Sequence, residues 1–369
     1  MANKPNGGPS RIPKGFPNPF ENLDPNVIEK LPKGTELIEL SEFGSSFWSY
    51  IGRLDVRLPD GSAKSYLLKA TPEDKGKGMS EGEFVSMSAL HAVKPEFVPR
   101  PVAWGSYRDI PDMHFFLVEF LDLVDELPAP EHLAARLAGL HRDERAASPT
   151  GRFGFPARTW SGVVPRDNAW CDTWEEYFAR ELHARLALER TRRPPDPEMD
   201  ALAAALLARV VPRLLRPLAV LRSARPVLVH GDLWNKNVAL ALDAASGRRP
   251  VVFDAGCVYA HNEYEIGIWT CTRYQFTQEH IDAYCRHFPP AEPKEDFADR
   301  ALLYAMSMDL CASYVHDHDP SYRELADGAC YHPFQRAKRT MRYLLGKYPG
   351  GYEEWARSYQ DRKDKQALP

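Results

Sequence analysis

The chain has 369 residues, of which 44% are hydrophobic and 27% charged, with a formal net charge of −4 at pH 7. This composition is ample for a sizeable core, fits two or three domains or one large two-lobed unit, and argues against bulk affinity for nucleic acid or anionic membranes. No apolar run approaches the roughly 20 residues that span a bilayer, and six cysteines without a CxxC pair argue against a zinc site or disulfide scaffold and point to a cytoplasmic protein.

The first stretch, "MANKPNGGPSRIPKGFPNPF", is rich in Pro, Gly and Asn and lacks the apolar centre of a secretory signal. Residues 1–30 are expected to be a flexible arm that packs little by itself. From about Thr35 the pattern turns β-like: "TELIELSEFGSSFWSYIGRLDVRL" reads as strand, Gly/Ser turn, strand, and "AKSYLLKA" as a third strand after a PDG turn. Helical spacing of Phe84, Met87, Leu90 and His91 follows. "FVPRPVAWGSY" is extended and "HFFLVEFLDL" is a strong strand. The chain is then mostly helical, with Leu133, Leu137, Leu140 and His141 on one face and Trp174, Phe178, Leu182 and Leu186 on another. A long Ala/Leu-rich helix from Met199 to about Leu221 contains Pro212 and Pro217, which are expected to kink it. Helices resume past Gln278 and near Asp299, with a last one around residues 334–345. The expected fold class is α+β with two lobes: a small β-rich lobe over 31–121 that binds nucleotide, and a larger, mainly helical lobe over 122–369 that carries catalysis and the acceptor.

Short strands interrupt the helices at "VLVHGDLWNKNVALALDAASGRRPVVFDAG". His230, Asp232 and Asn237 have the H-x-D-x-x-x-x-N spacing of a phosphotransferase catalytic loop. Asp232 is expected to accept the proton of a substrate hydroxyl, and Asn237 to offer an amide oxygen to Mg²⁺. The following hairpin, Val238–Leu242 and Pro250–Phe253, returns Asp254 beside Asn237, because antiparallel strands begin and end at the same edge. Asp254 is then the main metal ligand, and the metal is shared with the phosphates of ATP.

The β-rich lobe supplies matching parts. Lys69 ends the third strand, with Leu67 on its face and Tyr66 and Leu68 on the other. It is expected to hold the α- and β-phosphates, oriented by a helix glutamate, Glu81 or Glu83, of which Glu83 lies further into the helix. The turn with Gly44, Ser45 and Ser46 is no GxGxxG, but its backbone N–H groups are placed to cradle phosphate oxygens. The backbone of Glu119 to Leu121 is the candidate hinge for an adenine edge.

These motifs resemble the fructosamine kinase (ketosamine kinase) family, which sits beside aminoglycoside and choline phosphotransferases in the protein-kinase-like fold. "LVHGDLWNKN", "VVFDAG" and "YAHNEYEIG" carry the likeness, with "EGEFVSMSAL", "VPRPVAWG", "LAARLAGLHR", "FGFP" and "DNAWCDTWEEYF" in the same order, over roughly Gly44 to Tyr348. The resemblance implies ATP- and Mg²⁺-dependent phosphorylation of the third-carbon hydroxyl of a ketose attached to an amine, free or on protein lysine, a deglycation-type repair. It puts Trp234 near the acceptor sugar, and His261 and Glu265 where the family has matching His and Glu. The chain departs from the family in the phosphate loop "FGSSFW", in Asp-Ala-Gly after the hairpin, and in "CASYVHDHDPSY" on a late helix. An aminoglycoside- or choline-type kinase and a catalytically silent nucleotide-binding protein stay open at this point. The His316–Asp319 run has metal-ligand residue types but reads as a solvated loop, and Cys257, three residues past Asp254 and so near a bound nucleotide in one reading, reads first as a buried inert thiol. Trp170 and Trp174, at helical spacing, read first as core.

Overall fold

The computed structural model describes residues 12–13, 15–243, 247–316 and 332–366. They fall into two compact units. The first is drawn from Met1–Ala146, Pro156–Asn168 and His230–Val258, the second from Ala147–Phe155, Ala169–Val229 and Tyr259–Pro369.

The first unit opens with a short helix, α1 (Pro25–Ile28), capped by Asp24, whose carboxylate accepts the Asn26 N–H at 2.8 Å. Strands β1 (Glu36–Ser45), β2 (Tyr50–Arg57) and β3 (Ala63–Pro72) follow, then helix α2 (Glu73–Val93), then β4 (Pro101–Ser106) and β5 (Met113–Glu119). The strands form an antiparallel sheet of order β1-β2-β3-β5-β4. Alternation sorts its faces: Leu54, Val56, Tyr66, Leu68, Ala70, Phe115 and Leu117 share one buried core, while Lys69 and its cross-strand partner Ile51 lie on the opposite face. The expectation of a loose arm over 1–30 is corrected from Phe20 onward. Phe20 and Val27 are buried in that core, because the sheet offers them an apolar face. Residues 1–11 and 14 lie outside the described residues.

Helix α2 packs on β3, β4 and β5 and starts a turn before the sequence pattern does. Gly76 and Gly78 stand where the helix closely meets Thr71 and Trp160. Further on come β6 (Leu123–Val124), α3 (Pro130–Arg142), a two-stranded ladder of β7 (Trp160–Ser161) and β8 (Val164–Pro165). As predicted, α3 buries Leu133, Leu137, Leu140 and His141.

The second unit is helical. Its α4 (Trp174–Arg192) begins with a capping box between Thr173 and Glu176. The predicted long helix runs as α5 (Pro197–Ala205), a π-helical turn over Leu206–Val210, and α6 (Val211–Val220). The wide turn falls just before Pro212, which has no N–H to give to the preceding turn and whose ring needs room there. Strand β9 (Val227–Val229) leads to the catalytic-loop sequence. The first unit then adds β10 (Val238–Asp243) and β11 (Gly247–Val252), which pair as the predicted hairpin, with β10 also bonded to β6. The tip, residues 244–246, lies outside the described residues. β12 (Val258–Ala260) pairs with β9.

Helices α7 (Asn262–Gly267), α8 (Gln278–His287), α9 (Phe297–Val315), α10 (Pro333–Lys347) and α11 (Gly351–Gln366) complete the second unit. Helix α11 is not visible in the apolar pattern; its anchors are Trp355, 5% exposed, and Tyr359, stacked one turn apart at 5.0 Å. Trp174 is a core residue: its ring meets Tyr177, Phe178, Tyr264 and Tyr304, and its indole N–H donates to the Tyr304 hydroxyl at 2.9 Å. Of the 316–319 run only His316 is described, and Cys330 also lies outside the described residues. Among the described residues, no helix is long and apolar enough to cross a membrane.

Candidate active site

In the first unit five of the singled-out side chains form two bonded groups, Asn237 with Asp232 and Lys69 with Glu83 and Asp254. The loop leaves β9 at His230, which is wholly buried. His230 Nε2 faces the Phe253 carbonyl at 2.8 Å, and a carbonyl only accepts, so Nε2 carries the proton. Its Nδ1 then accepts the Asp232 N–H at 3.3 Å. One ring thus fixes the backbone of the first acid and that of the residue before the second.

Asn237 sits at the end of a short 3₁₀ turn, Asn235–Asn237, closed by its N–H bond to the Trp234 carbonyl at 3.0 Å. Its side-chain amide donates to the Asp232 carbonyl at 2.8 Å and to the Asp232 carboxylate at 3.3 Å. With Nδ2 committed to Asp232, the atom that Asn237 has to offer a cation is Oδ1. Phe253 N–H returns to the Asn237 carbonyl at 3.1 Å, so the hairpin closes as its register requires.

Asp254 follows with φ 61°, in the left-handed region. Aspartate tolerates this conformation better than most residues, at a cost of order 1 kcal/mol. It turns the chain sharply out of β11 and delivers the carboxylate to Lys69, whose Nζ donates to both Asp254 Oδ1 and Glu83 Oε1, the latter at 2.7 Å. Glu81, the other acid considered, is exposed. Burial by itself would depress the Lys69 ammonium, but the Asp254 and Glu83 carboxylates outweigh it and hold the group above its ordinary value. Burial pushes the Glu83 carboxyl up to about 7, against the pull of Lys69 and with help from the Asp254 charge.

Two glycines are required here. Gly231 has φ 79°, and a Cβ on it would lie 2.2 Å from the Gly256 carbonyl oxygen. A Cβ on Gly256 would lie 2.4 Å from the Trp160 carbonyl oxygen. The loop that holds Asp232 and the loop that holds Asp254 therefore touch backbone to backbone.

The other singled-out residues are placed as follows. Gly44 ends β1 after a bulge and pairs with Ile51, as Ser45 pairs with Tyr50. In the next turn Ser46 N–H donates to the Ser49 carbonyl at 3.0 Å, and Ser46 Oγ accepts the N–H of Trp48 and Ser49. Those backbone donors are engaged inside the turn, so a phosphate must take them from Ser46. Glu119 N–H donates to the Arg100 carbonyl and Phe120 N–H to Ser65; Leu121 packs on Ala239, Ala241 and Val251 of the hairpin. Trp234 is half-buried in the catalytic loop. His261 and Glu265 belong to the second unit, at 0% and 2% exposure. His261 Nδ1 and the Tyr304 hydroxyl are hydrogen-bonded at 3.0 Å, and burial pushes the imidazole down to about 4, so it is neutral near pH 7.

The fructosamine kinase family profile matches residues 55–326. The chain belongs to the fructosamine kinase family. It is 28% identical over 244 residues to protein-ribulosamine 3-kinase, chloroplastic, of Arabidopsis thaliana, covering 66% of this chain and 69% of that protein. It is 30% identical over 222 residues to ketosamine-3-kinase of Mus musculus, covering 54% and 68%. A crystal structure described as a fructosamine-3-kinase from Haemophilus somnus 129PT matches with a TM-score of 0.63 at 17% identity, over 84% of this chain and 92% of that one. Aminoglycoside phosphotransferase APH(4)-Ia matches with a TM-score of 0.54 at 15% identity, over 86% and 96%. At such identities the solved structures speak for the fold, which is the kinase-like α+β fold. Family membership makes this chain a phosphotransferase that uses ATP and acts on a sugar hydroxyl.

Sequence reasoning missed Arg166, Trp160 and Thr159, and gave no role to Asn168 within "DNAWCDTWEEYF". They lie in a loop, 156–168, that carries no spacing motif, and only its place in the first unit brings them to the glycines of the site.

Proposed function

We propose that this family member transfers the terminal phosphoryl group of ATP to a hydroxyl of a ketosamine, a ketose joined to an amine, including adducts carried on protein lysines. The single observation that supports this most is the pair of bonded groups, Asn237–Asp232 and Glu83–Lys69–Asp254, within one unit. Every charged or amide group that phosphoryl transfer needs on the protein side is in it.

Asp232 is the base for the acceptor hydroxyl. The Asn237 amide donates to its carboxylate, which orients it. Lys69, aligned by Glu83, holds the nucleotide phosphates. Asn237 Oδ1 and the Asp254 carboxylate are hard oxygen donors of the type Mg²⁺ takes, and Lys69 now supplies positive charge to the same carboxylate, so the donor set fits a divalent cation. When bound, that ion neutralises phosphate charge as the phosphoryl group moves. The Gly44–Ser46 turn covers the phosphates once the N–H groups of Trp48 and Ser49 leave Ser46. The Glu119–Leu121 backbone meets the base edge, and Leu67 and Ile51, on the Lys69 face of the sheet, pack on the base. Trp234 serves the acceptor.

The test is an acceptor panel with labelled ATP and Mg²⁺: fructose-, ribulose- and erythrulose-lysine, glycated protein, choline and aminoglycosides. Phosphate transfer to one or more ketosamines is expected. Transfer to choline or aminoglycosides alone, or no turnover with any acceptor, would overturn the reading.

A further inference from the structure

The loop 156–168 ties together the parts of the site that come from distant points in the sequence. The Trp160 ring lies on α2, where a Cβ at Gly78 would fall 2.7 Å from its Cζ2. Thr159 Oγ1 donates to the Cys257 carbonyl at 3.2 Å, and Asn168 Nδ2 donates to Thr159 Oγ1 at 2.8 Å. The strongest link is Arg166, only 3% exposed. Its Nη1 donates to the Gly256 carbonyl and its Nη2 to the Gly231 carbonyl, each at 2.5 Å. Its own N–H donates to the Thr159 carbonyl at 2.8 Å, which anchors the residue in the loop.

Gly231 is next to Asp232, and Gly256 is two residues past Asp254. The two carbonyls converge on one planar cation. Without it, two buried carbonyls would lose a charged donor that they share, which costs free energy at both loops. A guanidinium binds two acceptors at one fixed spacing, whereas an ammonium is a point charge on a flexible stem. Gly231 also has no side chain where Arg166 sits, since a Cβ there would be 2.6 Å from Nη1.

We propose that Arg166 is a positioning residue for phosphoryl transfer: its forked guanidinium sets the distance between the Gly231 and Gly256 carbonyls and thereby that between Asp232 and Asp254. The inference rests on the proposed function for its chemistry. It adds a device, absent from the H-x-D-x-x-x-x-N pattern, that makes the base and the metal acid one rigid pair.

The test uses the full chain with Arg166→Lys and Arg166→Met. The readouts are steady-state kinetics with the acceptor that wild type uses, the gain in ATP affinity on adding Mg²⁺ measured without acceptor, and the thermal midpoint. The expected result is a kcat lower by about 10- to 100-fold with KM values within about threefold, since misplacement by an ångström costs on that order. The Mg²⁺-dependent gain in ATP affinity falls at least about tenfold in the same variants, because Asp254 no longer keeps its place. Arg166→Lys, which keeps charge and most of the volume, recovers only a small part of either. A folded variant with kcat and Mg²⁺ gain within twofold of wild type would overturn the proposal. So would a lowered thermal midpoint with kcat unchanged per folded molecule, or failure of both variants to fold, which would make Arg166 a stability residue. If Arg166→Met alone fails to fold, Arg166→Lys decides by the same numbers. If wild type phosphorylates no ketosamine, the proposed function falls, while the Mg²⁺ dependence of ATP binding still reads the clamp.

Discussion

His230 Nε2 donates to the carbonyl of Phe253 at 2.8 Å, so the residue that opens the catalytic loop is bonded to the residue that precedes the second acid. Gly256 N–H returns the tie to the His230 carbonyl at 3.0 Å. Two segments some twenty residues apart are thereby locked in one register. The consequences of that register can be measured.

Asp232→Asn keeps the size of the side chain and removes the base. Phosphoryl transfer is expected to fall by about 10²- to 10⁴-fold, the usual share of general-base catalysis. ATP affinity should change little, because Lys69 and Glu83 are untouched. Steady-state kinetics beside a nucleotide titration separates the two effects, and near-full activity in the variant would remove Asp232 from the role of base.

Asp254→Ala removes both a metal donor and one of the two carboxylates on Lys69. Mg²⁺ is expected to raise ATP affinity in wild type and to have almost no effect in the variant. Chelation by EDTA should bring wild type to the same low affinity. Calorimetric titration of ATP with and without Mg²⁺ reads this directly, and an equal Mg²⁺ effect in both proteins would exclude Asp254 as a ligand.

Gly231→Ala and Gly256→Ala force a methyl group against a backbone carbonyl oxygen, at 2.2 Å and 2.4 Å respectively. Neither neighbour is a flexible side-chain end, so the loops must move apart. Each variant is expected to lose about 1–3 kcal/mol of stability from overpacking, with added strain at Gly231 from its positive φ. Activity should fall more than stability does, because the displaced segments carry Asp232 and Asp254. Denaturant melts and kcat for each variant test this, and full activity at wild-type stability would mean the loops have slack.

Burial drives the His261 imidazole down to about 4, from an ordinary value of 6.5. A histidine with a depressed folded value binds fewer protons folded than unfolded between those two pH values. Stability therefore rises with pH across that window, is fully present above 6.5, and is lost as pH falls toward 4. The contribution is at most about 3 kcal/mol. His261→Gln should flatten the stability curve between pH 4 and 6.5 while leaving it parallel to wild type near pH 8. Urea melts across this range measure it; an unchanged slope would show that His261 is not the titrating group.

The sequence alone went far here because the local devices are local in sequence. Asp232 and Asn237 sit five positions apart on one loop, and Asp254 is brought back by a hairpin whose register follows from its two apolar runs. Strand alternation was enough to turn Lys69 away from the core that holds Tyr66 and Leu68. The α+β class and the family followed from the same residues.

What tertiary structure decided was everything carried by long-range contact. Arg166 has no partner at a fixed spacing, and its two carbonyl acceptors are 65 and 90 positions away. Phe20 and Val27 lie in a Pro/Gly-rich stretch that reads as loose, and only the apolar face of the sheet orders them. The Ser46 turn keeps its own N–H groups, a choice between local and ligand acceptors that composition does not express. Periodicity and motif spacing report what a segment does with its near neighbours. Which distant backbone atoms meet a given side chain depends on how the whole chain packs, and that information is spread over residues with no common pattern.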